Sequence, residues 1–474
     1  VSRRAILAGG LVAAALLAAP AVASAHGLVG KQDLPIPRWI FAWAAAAVLI
    51  VSFVALATMW ATPKLQELRE NTVWRIPGAT FFEVLGGIVG IAVFVFVVYA
   101  GLAGTQTADA NLAPTFIYYV FWVGIPFVSA VFGDVFRLFN PWRALARGVA
   151  AVAGGLARGE GAEPIAYPRW LGRWPAAIGI LGFAWVELVL PVQDRTDPST
   201  LAILALAYAA VQLVGMSVFG IDQWLRNADP FGVAFGLIAR LAPLHWTNGE
   251  LRTRKPLAGI VPLDPRPGTV PLVCIMIGTT AFDGFSMGSL WNDIAPDVQR
   301  WFIDIGFHAE GALEITFTLG LIAMVLVVSA VYRLGVLGMR TVDETRTVQE
   351  LSGLFAHTLV PIALAYVVAH YFSALTYQAQ AMAYLISDPL GDGSNIFGTA
   401  SATINYGWIS ANAIWYVQVG ALIVGHVGGL ILAHDRALAT YRDPGQATRS
   451  QYWMLVVMVG FTSLGLWLLS AAAQ

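Results

Sequence analysis

Cysteine and charge are what this chain has least of. Its 474 residues include one cysteine, Cys274, and only 12% Asp, Glu, Lys and Arg. A lone thiol excludes a disulfide-stapled secreted scaffold. Soluble globular chains carry roughly 25% charged residues, so half that amount excludes a large water-solvated surface. No polar stretch is long enough to build a separate soluble domain. The formal net charge of −1 shows no basic surplus and argues against a nucleic-acid partner. Walker A, Gly-x-Ser-x-Gly and His-Glu-x-x-His sequences are also missing, which leaves ATP-driven work and the commonest hydrolase signatures unsupported.

What is present is apolar, with 58% hydrophobic residues, 17 Trp and 25 Phe. Apolar runs lie near 39–61, 84–104, 113–133, 175–192, 200–220, 270–291, 312–333, 352–374, 408–434 and 452–471. Each approaches or exceeds the roughly 20 residues that cross a bilayer. Backbone groups in lipid must be satisfied within their own segment, so these runs predict helices. The expected fold is all-α, a polytopic transmembrane bundle of about ten spanning helices over residues 26–474. Ahead of it, Arg3-Arg4, the apolar block Ala5 to Ala19 and the small-residue end Ala23-Ser24-Ala25 describe a signal peptide at 1–25, whose removal would leave His26 first.

Arginines orient the bundle. Lys64, Arg69, Arg75, Arg137, Arg143, Arg226, Arg240, Arg340 and Arg436 fall in one alternate set of connections, whereas the other set holds only Lys31, Arg38, Arg195 and Arg300. The bias predicts a multi-pass protein of the cell membrane with both mature termini extracytoplasmic. Two of the arginine-rich connections are alike. Phe132-Gly133 leads to Asn140-Pro141-Trp142, and Phe219-Gly220 leads to Asp229-Pro230-Phe231. They are either a duplicated helical pair or two unrelated segments; each reads as a turn and then an amphipathic surface helix. Cytoplasmic interfacial segments are thus expected near 134–174 and 221–268, with 245–268 a polar, Pro-rich loop.

Ionisable groups inside a membrane are costly and mark function by default. Three carboxylates fall within the runs, Glu187, Asp283 and Glu314, all in the outer half under this orientation. His370 shares that level, while His308 and His26 lie on the same side. No Lys or Arg is buried among them, and a metal ion would balance the charge, because carboxylates and neutral imidazoles are its natural ligands. The candidate ligands are His26, His308, Glu314 and His370, with a divalent ion or copper as cofactor. Each acid taken singly could instead only lock two helices by hydrogen bonding. Deeper in the bundle, His357 and His426 lie at similar expected depths on successive spans and could face each other across a haem b iron.

The start Ala25-His26-Gly27, the Phe282-Asp283-Gly284 span, and the tail from His370 through Ser387-Asp388-Pro389 to Gly425-His426 and His434-Asp435-Arg436 resemble actinobacterial integral membrane proteins labelled as fenitrothion hydrolases. The resemblance covers essentially the whole mature chain and implies metal-dependent cleavage of an organophosphate ester. On that expectation an apolar substrate enters from the bilayer, Asp283 joins the metal site and Glu187 acts as general base. The same acids and histidines would equally serve a transporter of a metal ion or small solute, with His357 and His426 as its inner stage. A haem-bearing electron carrier is the third expectation.

Overall fold

A computed structural model describes residues 38–156, 163–247, 249–342, 344–441 and 443–471. The signal peptide at 1–25 and His26 lie outside the described residues. The chain is helical throughout, apart from one small sheet. The main helices are α1 (Arg38–Met59), α2 (Ala79–Ala103), α3 (Leu112–Phe132), α4 (Pro141–Leu156), α5 (Trp174–Leu188), α6 (Pro198–Phe219), α7 (Pro230–Ala239), α8 (Thr269–Ser286), α9 (Ala309–Arg340), α10 (Val360–Gln378), α11 (Ala411–Thr440) and α12 (Tyr452–Ala471). Among the described residues, seven helices are long and apolar enough to cross a membrane: α2, α3, α6, α8, α9, α11 and the 348–385 stretch containing α10. Large apolar side chains such as Phe81, Val95, Leu326 and Val424 face outward, as lipid-facing residues do.

The connections sort into two faces. On one, the 104–111, 189–197 and 379–410 segments are tied together by Thr105 N donating to Leu390 O (2.8 Å), Ser199 N to Gln106 Oε1 (3.0 Å) and Tyr384 Oη to Asp109 O (3.3 Å). On the other, the buried Asp435 carboxylate at the end of α11 accepts from Trp60 Nε1 (3.0 Å), Lys64 N (2.5 Å), Leu65 N (3.2 Å) and Gln66 Nε2 (2.7 Å). His434 donates to Trp60 O (3.0 Å) and Arg436 to Val261 O. The His434-Asp435-Arg436 triplet therefore fastens the end of α1 and the 245–268 segment to α11.

Two expectations for the arginine-rich connections need correction. Part of 245–268 is not loop. Strands β1 (Glu70–Arg75), β2 (Leu244–Thr247) and β3 (Glu250–Arg254) form an antiparallel sheet in the order β1-β3-β2, with Glu70 opposite Arg254 and Thr247 opposite Glu250. Cross-strand charge holds it, with Arg75 to Glu250 at 2.9 Å and Arg252 to Glu70 at 3.4 Å. Nor is α7 an amphipathic surface helix. Phe231, Val233, Ala234, Phe235, Leu237 and Ile238 are all buried, because the helix has no polar face to offer water.

The two similar connections do share their geometry. Gly133 (φ 84°) and Gly220 (φ 82°) end α3 and α6 in the left-handed half of backbone space, where glycine is favoured. Asn140 and Asp229 then cap α4 and α7 by accepting from Arg143 N (3.0 Å) and Gly232 N (3.2 Å). The caps also meet, Asn140 Nδ2 donating to Asp229 Oδ2 at 3.0 Å.

Glycines allow a close helix contact between α10 and α11. A Cβ on Gly425 would sit 2.3 Å from Ala365 Cβ and 2.7 Å from Pro361 O, and one on Gly429 would sit 2.8 Å from Thr358 O. Gly425→Val is expected to cost about 1–3 kcal/mol, read as a lower melting temperature in detergent. Gly420→Val, on the same helix with open space around its Cβ, should leave melting nearly unchanged.

Candidate functional site

Helices α5, α8 and α10 and one irregular segment of α3 bring the buried polar groups together. Asp283 lies near the end of α8, and the second half of α10 carries the pair His370-Tyr371 to it. His370 Nε2–H donates to Asp283 Oδ2 at 2.7 Å, and Tyr371 Oη–H donates to the same oxygen at 3.0 Å. Glu187, one residue from the end of α5, is 4% exposed and interacts electrostatically with Asp283. Arg195, in the next connection, donates to the Glu187 main-chain oxygen (2.8 Å) and accepts at its own carbonyl from Tyr118 Oη (2.7 Å).

The remaining wall comes from α3. Residues Phe116–Gly124 within it wind as a π-helix, a rare form that recurs at functional sites. This stretch supplies Tyr118, Tyr119 and Trp122. Tyr119 lies within electrostatic reach of both Glu187 and Asp283, and the Trp122 indole lies beside Glu187 and Tyr371. Two carboxyl groups, one imidazole and three phenols thus lie together, with Tyr118 and Tyr119 half-buried and the rest buried. Arg195 offsets part of the negative charge on Glu187, and a proton or a bound cation would balance the rest at low dielectric.

On the inward side of Trp122 and Tyr371 is a void of about 10 Å³, lined also by Thr280, Met276, Phe235 and Ile238, the space of roughly one water. Packed aromatic rings close it off further in. Phe121 lies 4.9 Å from Phe231 and 5.4 Å from Phe136, and Phe183 lies 5.1 Å from Phe231, ring centre to ring centre. On the far side of α7, lined by Val233, Gly236 and Leu237, a cavity of about 600 Å³ lies among the arginine-rich connections.

Of the expected site residues among the described ones, the structure unites Glu187, Asp283 and His370 and leaves the others apart. His308 is exposed at the start of α9 and Glu314 is half-buried on that helix. Phe282, Trp291 and Phe317, with centroids 5.2–6.0 Å apart, pack between α8 and α9. Among the described residues no three His, Cys, Asp or Glu side chains converge as metal ligands. The expected set of His308, Glu314 and His370 therefore does not assemble, and His370 is engaged with Asp283.

The haem arrangement does not fit either. At Gly425 and Gly429 helices α10 and α11 touch backbone to side chain, leaving no room for a porphyrin between them. His426 is level with Pro361–Ala365 rather than with His357, an offset of roughly one helical turn or more. Its Nδ1–H donates to Leu422 O at 2.7 Å. His357 is buried in the short turn Ala356–Leu359 that precedes α10.

Sequence reasoning missed Tyr118, Tyr119, Trp122, Tyr371 and Arg195. Tyr371 had an available signal, since it directly follows His370. The others depend on the π-turn, for which the aromatic run Tyr118-Tyr119-Val-Phe-Trp122 is only a faint hint. No family model matches the chain, and no curated protein or solved structure matches it significantly.

Proposed function

We propose that this is a multi-pass transporter of the cell membrane in which Glu187, Asp283 and His370 take up and release a coupling proton. The observation that carries it is the buried Asp283–His370–Tyr371 hydrogen-bonded group with Glu187 beside it, set inside apolar helices. Intramembrane acids and histidines of this kind form proton relays and ion paths. The 600 Å³ cavity across α7 supplies the second half of a polar path, and it replaces His357 and His426 as the inner stage. The aromatic rings between the two regions act as the barrier.

In this reading α1, α5 and α12 join the seven longer apolar helices to give ten crossings after a cleaved signal peptide. The arginine-rich face is cytoplasmic and both mature termini lie outside. Native Cys274 is buried in α8, so an introduced cysteine dominates labelling by an impermeant maleimide. In intact cells, Asp392→Cys should label and Arg346→Cys should not; the reverse pattern would invert the orientation.

The functional test is reconstitution into liposomes with a pH-sensitive dye inside. Addition of one member of a panel of small anions and cations should drive a pH change that empty liposomes lack. Hydrolysis of an aryl phosphotriester by the same preparation, lost in His370→Ala and unaccompanied by proton movement, would replace transport by the esterase chemistry. There, Asp283 would orient His370 as a general base.

A further inference from the structure

The cavity on the arginine-rich face is formed by parts of the chain far apart in sequence. They are the end of β3 with the start of β1, the 134–143 segment, Arg173 ahead of α5, the 222–240 segment and the 259–266 turn. Its volume of about 600 Å³ falls within the range that encloses small organic ligands. Seven arginines line it against five carboxyl groups.

The carboxyl groups are mostly committed elsewhere. Glu70 is shared among His245 (3.0 Å), Arg252 (3.4 Å) and Arg254 (3.7 Å), and Asp264 pairs with Arg266 at 2.7 Å. Asp222 faces Arg147 at 3.8 Å. Asp229, fully buried, accepts from Tyr208, Asn140 and Gly232. Burial pushes the Asp229 and Asp134 carboxyls upward, while Arg137, Arg143 and Arg240 pull Asp134 part of the way back.

Positive charge is left over. The guanidinium groups of Arg137, Arg226 and Arg240 have no ion-pair or hydrogen-bond partner among the described residues. Arg173 is 4% exposed and spends one nitrogen on Asp264 O and Thr269 Oγ1, leaving its Nε without a partner. Burial and the neighbouring arginines also work against the charge on Arg143 and Arg173, whose pKa values are driven down. Arg137 and Arg226 are exposed at the rim of the cavity and Arg240 is half-buried, but Arg173 is buried, and a buried cation in excess of its counterions is unfavourable unless an anion joins it.

We infer that this cavity binds a phosphate-bearing anion, held by Arg240 with Arg137, Arg226 and Arg173. Guanidinium forks match phosphate oxygens in bidentate pairs, and a phosphate can engage several arginines at once, whereas a carboxylate is saturated by one or two. The inference needs only the cavity and holds whether or not the outer cluster moves protons.

Calorimetric titration of the full chain in neutral detergent at low salt tests it, with inorganic pyrophosphate in one arm and short-chain phosphatidic acid in the other. Binding of pyrophosphate identifies a soluble phosphate ligand, and binding of the lipid alone identifies a headgroup site; both support the inference. Affinity should fall at least tenfold in Arg240→Gln and in Arg137→Gln, less in Arg240→Lys, and stay unchanged in Arg69→Gln, whose charge is paired with Glu67 outside the cavity. Unaltered melting of Arg137→Gln guards against misfolding. No binding of either probe to the wild type, or equal binding by all variants, would overturn the site. Titration reads binding without flux, so failure here is separable from failure of the transport proposal.

Discussion

Asp283→Asn is expected to abolish dye-reported proton uptake, a loss of about a hundredfold or more, while the protein still folds. Asparagine keeps the size of the side chain and can still accept from Tyr371 and His370, the two groups that donate to Asp283. What it loses is the ability to take up and release a proton. Glu187→Gln should produce the same loss by removing the second carboxyl. His370→Ala is the harsher change, because it also leaves a hole beside a buried acid whose other donor is Tyr371. Wild-type proton movement in Asp283→Asn would remove the cluster from the mechanism. If Glu187→Gln alone were inactive, the relay would narrow to one acid.

The second large effect is structural and lies at the opposite face. Asp435→Ala should destabilise the protein by about 3–5 kcal/mol, since hydrogen bonds to a charged acceptor are worth about 1.5–3 kcal/mol each and buried donors left unpaired cost more. Four groups from residues 60–66 converge on this carboxylate, so its loss frees the end of α1 as well as α11. Thermal unfolding in detergent checks the size, with Asp435→Asn intermediate. The contrast is Asp388→Ala. That side chain accepts from Asp392 N (3.1 Å) and Gly393 N (3.0 Å) in an exposed loop, and its removal should cost about 1 kcal/mol or less. Equal effects at the two sites would mean that burial of Asp435 contributes nothing to stability.

The helices were readable because lipid imposes one rule on every crossing, so apolar length alone marks them. Each expected run contains or overlaps a helix, from α1 at 39–61 to α12 at 452–471. The clustering of Glu187, Asp283 and His370 followed from depth counting, since acids in apolar runs are few and must seek partners. Depth does not reveal which helices are neighbours, and this is why His308 and Glu314 were grouped with them. The same limit produced the haem expectation. His357 and His426 lie at comparable expected depths, but only packing shows that Gly425 and Gly429 bring α10 and α11 into contact. The sheet was hidden for a different reason. Its strands are short and polar, and Glu70 finds Arg254, 184 positions further along the chain, a pairing no local pattern encodes.

Helix α7 has one further consequence. Exposed Arg137 and Arg226 border the 600 Å³ cavity, so bulk electrolyte reaches one flank of α7, and the acid cluster approaches the other. Were water to reach the acid cluster during transport, the insulating layer there would shrink from the roughly 30 Å of hydrocarbon to about the 10 Å width of a single helix. A transmembrane voltage would then fall almost entirely across α7, concentrating the electric field about threefold. An elementary charge passing this short gap would collect nearly the whole of the roughly 2.3 kcal/mol available per 100 mV.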